Sequence, residues 1–355
     1  MTYQTVKIKT SSSPETAASI LMIYTGGTLG MVYDSKDGHL VSFDFEHILE
    51  RMPEINRLDF ELTVVTFHEL IDSSDMKPAN WTSIARLIYQ NYPHYDSFVI
   101  IHGTDTMAYT ASALSFMLEN LSKPVILTGA QLPIGAARTD ARENLITALE
   151  IASAKLYGEP RVPEVCLYFH SYLLRGNRAK KIESAHFNAF HSENYHVLAH
   201  AGIRIDYQTP FIRDYQPERT LLLHPDFDEN VAILTLFPGI SPRLVESVLR
   251  TENLRGVVLE TFGSGNTPTA PWFLNCLREA ADRNVVLFNV SQCTGGRVTP
   301  VRYQSSRFLQ EIGVISGSDI TTEAAITKLM HLLAKENNPE SVRWNLGRSM
   351  CGEMS

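Results

Sequence analysis

A chain of 355 residues with 31 basic and 39 acidic side chains, a formal net charge of -8, carries no electrostatic footprint for a nucleic-acid backbone. Its composition, 44% hydrophobic and 20% charged, excludes a disordered chain, and its length exceeds what one core usually serves, so two domains are expected. No apolar run approaches the roughly 20 residues that cross a bilayer, and four scattered cysteines without a C-x-x-C pair read as reduced thiols of a cytoplasmic protein.

Along the chain, residues 1–19 read as a flexible leader, because a Ser-rich run stands where a signal peptide would need its apolar core. Short β-rich apolar runs follow at 20–24, 62–67, 98–101, 125–128 and 165–169, and helical spacing of apolar residues separates them at 81–92, 106–120 and 141–156. This is the βαβ rhythm of a parallel sheet. It lapses in a polar, Pro-containing stretch between 205 and 230 and then resumes, with strands at 231–236, 256–260 and 285–290 and helices near 241–249, 271–283 and 323–335. The fold class is therefore α/β: a larger N-terminal domain with a mostly parallel sheet over 20–207, a linker over 208–230, and a smaller C-terminal α/β domain over 231–355.

Four segments could carry chemistry. In FVIIHGTDTMAYTASALSFML, a buried strand runs into a Gly-Thr-Asp turn that opens a helix, which leaves Thr104 and Asp105 at the edge where parallel sheets bind ligands. Asp105 and Thr106 also read as helix caps. TGGTLGM follows the first strand and presents Thr25 and Thr28, but it is G-G-x-x-G rather than a dinucleotide fingerprint, and the acid at a suitable distance, Glu46, falls in a helical pattern. HELIDSSDM offers Asp72, Ser73, Ser74 and Asp75 after the next strand, with capping by Ser74 or Asp75 as the plain reading. RGNRAKKIES places cationic side chains after the strand at 165–169, one of which could shuttle protons if desolvated beside a carboxylate. Three strand ends with hydroxyl-rich turns point together to a small polar ligand. The spacing of His186, His191, His196 and His200 fits no metal motif, and Gly263-Ser264-Gly265 is not a nucleophile elbow.

TGGTLGM, HGTDTMAYTASALSFMLENL, IDSSDM, TGAQLP, RGNRAKK and SGSD, in this order, closely resemble the bacterial-type L-asparaginases, with the intracellular type I branch nearest. The resemblance implies hydrolysis of L-asparagine to aspartate and ammonia without metal or organic cofactor. Thr28 would be the nucleophile that forms an acyl-enzyme. Thr104, Asp105 and Lys181 would form the second catalytic group, Asp105 also receiving the substrate α-ammonium, and Asp72, Ser73 and Ser74 would hold its α-carboxylate. The loop tyrosine of many relatives is absent, since YDSKDGHLV puts Gly38 or His39 there; Tyr303 is assigned its role, with Tyr33 and His39 as the alternatives. Asn266 matches an asparagine contributed across a dimer, so a homodimer or homotetramer with shared sites is implied, with no membrane or nucleic-acid partner. Some relatives bind an activating second asparagine near the counterpart of Cys293; Glu260 and Lys180 replace an Arg and a Thr of that pocket, which argues against activation here. A glutamyl-tRNA amidotransferase subunit is the enzyme runner-up, and an amino-acid-binding protein without turnover is the non-enzyme alternative.

Overall fold

A computed structural model describes residues 3–9, 18–33, 40–42, 52–299 and 304–355. The chain forms two compact units, one of residues 1–192 and 196–225, the other of 193–195 and 226–355.

The first unit is built on a nine-stranded sheet. Its strands are β1 (Tyr3–Lys9), β2 (Ser19–Tyr24), β3 (Glu61–Phe67), β4 (Ser97–Ile101), β5 (Val125–Thr128), β6 (Val165–Phe169), β7 (Tyr172–Arg175), β8 (Ala199–Ala201) and β9 (Ile205–Tyr207). Their spatial order is β1-β3-β2-β4-β5-β6-β7-β8-β9. The five central strands, β3 to β6 in that order, are parallel, and β1 and β7 to β9 extend the sheet antiparallel. Parallel strands are covered on both faces, and β4 and β5 are buried at every residue.

Helices α1 (Pro78–Asn91), α2 (Met107–Met117) and α3 (Ala141–Ser153) alternate with the central strands. The first is amphipathic, burying Trp81, Ile84, Ala85, Leu87 and Ile88. By contrast α2 buries nine of its eleven residues, as its apolar composition requires. From β2 the chain moves to one side for β3 and returns to the other side for β4. The carboxyl ends of β2 and β4 therefore flank a topological switch point, where the loops diverge and open a crevice.

The leader expectation fails at its start, because Tyr3–Lys9 pairs along its whole length with β3. The cause is legible afterwards: Val6 and Ile8 alternate with Thr5, Lys7 and Lys9, the period of a half-buried edge strand, and Ile8 is buried. Much of the stretch read as a linker is also held in the first unit. Leu222–Leu223 pairs with Leu118–Glu119, and Arg213 N donates to Glu164 Oε1 at 2.9 Å.

In the second unit β10 (Val231–Thr235), β11 (Gly256–Thr261), β12 (Val286–Ser291) and β13 (Ile315–Ser316) form a parallel sheet in chain order. Val245 and Leu249 of α4 (Pro242–Leu249) and Phe273 and Leu277 of α5 (Pro271–Asp282) pack with Val257, Leu259 and Leu287 in its core. Helices α6 (Gln304–Ile312), α7 (Thr322–Lys335) and α8 (Pro339–Leu346) follow; α6 and α8 have no counterpart among the expected elements. Among the described residues, no helix is long and apolar enough to cross a membrane.

Candidate active site

The site begins with glycines that let three turns touch. Gly26 and Gly27 follow β2 with φ of 135° and 91°, a region that L side chains rarely enter. A Cβ on Gly26 would collide with the Ile71 carbonyl, and one on Gly27 would lie 2.6 Å from Gly103 N. A Cβ on Gly103 would in turn meet Ser73 Oγ at 2.5 Å. The turns after β2, β3 and β4 are thus stacked backbone on backbone at the switch point.

Each turn then presents its side chains differently. Thr25 is buried and spends its hydroxyl on the Ile101 carbonyl at 2.9 Å, knitting β2 to β4. Half-buried Thr28 starts the 3-10 turn Thr28–Gly30, and among the described residues its hydroxyl has no hydrogen-bond partner. Below it, wholly buried Tyr24 donates to the Gly30 carbonyl at 3.0 Å, which fixes the turn from inside.

After β3, Asp72 caps the 3-10 turn Ser73–Asp75 by accepting from Ser74 N at 2.9 Å and Ser74 Oγ at 2.8 Å. The Ser74 amide, then its hydroxyl, hold the Asp72 carboxyl below its ordinary value. Neither Ser74 nor Asp75 caps α1, whose N-cap is Lys77.

After β4 the capping oxygens are directed away from their helix. Thr106 is the N-cap of α2 yet donates to the Ser73 carbonyl at 2.6 Å, and the Asp105 carboxylate takes Lys181 Nζ at 2.6 Å. Ser73 Oγ accepts the Asp105 amide at 3.3 Å, so its own proton remains available for donation. Lys181 Nζ also reaches Thr104 Oγ1 at 2.8 Å. The lysine side chain is 18% exposed and the aspartate 64%, so the aspartate faces solvent while the ammonium is largely enclosed.

The basic segment takes a longer route than its sequence position suggests. β7 intervenes and carries Arg175 back beside Cys166, where it pairs with buried Glu164 at 2.6 Å. Gly176–Arg178 forms a 3-10 turn, and the chain then rises to Lys180–Lys181, paired with Phe190–His191. Adjacent strand residues point to opposite faces, so only one of the two lysines can meet Thr104, and it is Lys181.

Three contributors carry no role assigned from the sequence. Gln131, after β5, accepts the Thr104 hydroxyl at 3.5 Å and donates to the His186 carbonyl at 3.1 Å. Asp140 grips the Gln131 backbone amide at 3.0 Å. An acidic residue at a helix start is the signal, but it reads as a cap. Behind Gly103, wholly buried His102 places Nδ1 2.6 Å from the Gly103 carbonyl and Nε2 2.9 Å from Thr110 Oγ1. A carbonyl only accepts, so Nδ1 carries the proton and Nε2 accepts from Thr110.

Tyr303, His39, Gly38 and Glu46 lie outside the described residues, as does the side chain of Tyr33. Asn266 belongs to the second unit, in a bridge with Phe262. Glu260 there accepts the hydroxyls of Thr235 and Thr322, and Cys293 is exposed. The histidines scatter: His196 stacks on Phe211, His200 tilts against Tyr172, and His191 lies opposite Lys180. Among the described residues, no group of three or more His, Cys, Asp or Glu could hold a metal ion.

Fold and site define a two-unit α/β protein with a threonine turn and a Thr-Asp-Lys cluster at a parallel-sheet switch point. The asparaginase N-terminal family matches residues 19–213 and the glutaminase/asparaginase C-terminal domain matches 230–345. L-asparaginase 1 of Escherichia coli (strain K12) is 42% identical over 340 residues, covering 95% of this chain and 98% of that protein. The 60 kDa lysophospholipase of Homo sapiens is 42% identical over 360 residues, covering 95% of this chain and 61% of that one. Among solved structures, L-asparaginase I from Vibrio cholerae superposes with a TM-score of 0.85 at 40% identity, covering 95% of this chain and 99% of that one. The chain belongs to the asparaginase family.

Proposed function

We propose that the chain is an L-asparaginase that hydrolyses L-asparagine to aspartate and ammonia through a threonyl acyl-enzyme. The observation that carries this reading is Lys181, 2.8 Å from Thr104 Oγ1 and 2.6 Å from Asp105 Oδ1, on turns packed against the one that bears Thr28. The Thr28 hydroxyl attacks the side-chain amide carbon, the C–N bond breaks, and ammonia leaves with a proton. Water, activated at Thr104 and Lys181, then cleaves the ester. A threonine hydroxyl is a weak nucleophile, so its proton must be passed on as it attacks, and it ends on the departing ammonia. Asp105, solvent-facing and beside Lys181, receives the substrate α-ammonium, and the available Ser73 proton meets the α-carboxylate. Asp72 supports that contact by shaping the turn. Assembly as a homodimer or homotetramer in the cytoplasm, with Asn266 serving a neighbouring site, belongs to the same reading.

The test is ammonia release from L-asparagine and L-glutamine. Thr28→Ala should lower kcat by about a thousandfold or more while leaving the circular-dichroism spectrum unchanged; a variant that keeps most of its ammonia release sinks the nucleophile. Release from neither amide by the unaltered protein sinks the function.

A further inference from the structure

A loop over residues 129–135 touches both halves of this site. Ile134 N donates to the Leu29 carbonyl, inside the Thr28–Gly30 turn, at 3.3 Å. On its other side Gln131 meets Thr104 at 3.5 Å. The nucleophile turn and the proton-transfer cluster therefore share one support.

That support is anchored by a single carboxylate. Asp140 Oδ1 accepts the amides of Gln131 and Leu132, each at 3.1 Å, and Oδ2 accepts the Gln131 amide at 3.0 Å and Asn144 Nδ2 at 3.2 Å. Asn144, 1% exposed, also donates to the Gly129 carbonyl at 2.9 Å and accepts the His170 amide at 3.1 Å, tying the start of the loop to the end of β6. Asp140 is the N-cap residue of α3, yet its side chain caps no amide of that helix. Aspartate is among the strongest N-cap residues, so here a locally favoured hydrogen bond is given up for a loop nine residues upstream. Such a breach of a local rule is expected where function sets the geometry.

We infer that Asp140 is a positioning residue: by holding the Gln131 and Leu132 amides it sets the distance between Thr28 and the Thr104–Lys181 pair. Its kinetic consequence rests on the proposed asparagine hydrolysis; its structural consequence does not. Misplacement by a fraction of an ångström between a nucleophile and its proton relay lowers the rate of the chemical step. Substrate binding is affected less, because the turns that meet the α-carboxylate and α-ammonium are stacked on one another through Gly103 and Ser73.

Asp140→Ser removes the loop anchor and leaves a residue suited to the N-cap position, since serine caps a helix well but is too short to span the loop. In this variant kcat for L-asparagine should fall by about ten- to a hundredfold, with KM within about threefold and the thermal midpoint near that of the parent. Hydrogen exchange should accelerate in peptides covering 129–135 and also 28–31, with 97–101 unchanged. Asp140→Asn, which keeps the shape of the side chain, should move kcat and exchange in the same direction should the serine variant fail to fold. A kcat within about twofold of the parent in a folded variant overturns the inference. So does faster exchange confined to 129–135. Where the parent releases no ammonia, the exchange pattern still decides the positioning role, and only the proposed function falls.

Discussion

Lys328 and Glu353 are both wholly buried and lie 2.7 Å apart, joining α7 to the residues after α8. Burial alone would raise the Glu353 carboxyl, but the Lys328 ammonium and the amides of Cys351 and Met350 outweigh it and hold the group below its ordinary value. The ammonium also donates to the carbonyls of Leu346 and Arg348, so both charges are satisfied. Removing one partner strands the other, a loss of about 3–5 kcal/mol. Lys328→Met should therefore lower the urea-unfolding free energy by about that amount at pH 7. A carboxyl whose folded value lies below the unfolded one stabilises above the unfolded value of about 4.3 and loses that contribution as pH falls through the folded value. The gap between parent and Glu353→Gln should accordingly narrow below about pH 4; a gap that is constant with pH, or absent, contradicts the pairing.

At the scale of elements, the starts of α2 and α3 follow one rule. Thr106 and Asp140 are N-cap residues and Asp105 directly precedes one, and the three turn their side chains to Ser73, the 129–135 loop and Lys181 instead. Asp105 and Thr106 were legible as caps in the sequence, but their partners were not, because those partners are a backbone carbonyl and a lysine on other elements. Continuous apolar runs gave away the buried parallel strands, whereas β7 to β9 and α8 are short or polar and carry too little periodicity to stand out. His102 shows what holds the elements together behind the site. Trp81 of α1 donates to Thr110 of α2 at 3.0 Å, Thr110 donates to His102, and His102 donates to the Gly103 carbonyl at the end of β4. Burial, only partly offset by that last bond, lowers the imidazole to about 4, so the ring is neutral at pH 7. Its unfolded value is about 6.5, so the unfolded chain binds the extra proton between the two values and stability falls as pH drops through that window, by about 3 kcal/mol in full. Urea unfolding from pH 7 to 4 should show this slope, and His102→Gln should flatten it. An unchanged slope in the variant would mean that His102 is not the group that titrates.

For the whole molecule, the family match covers both units; Thr28, Asp72, Ser73, Thr104, Asp105 and Lys181 lie in the first of them, and Asn266 lies in the second. The proposed assembly is tested at this scale: sedimentation velocity at micromolar concentration should return a dimer or tetramer, and a monomer that is fully active would remove Asn266 from any neighbour's site. The edge strand β1 has a different consequence. It covers ELTVVTF of β3, a run rich in β-branched residues with the composition of an aggregating segment, and presents in its place a strand bearing the exposed Lys7. Residues Tyr3–Lys9 thus act as a sheath for the sheet. Trimming them, or fusing a bulky tag close to Tyr3, would expose a template for strand addition between chains, and the cost would appear in solubility before it appeared in turnover.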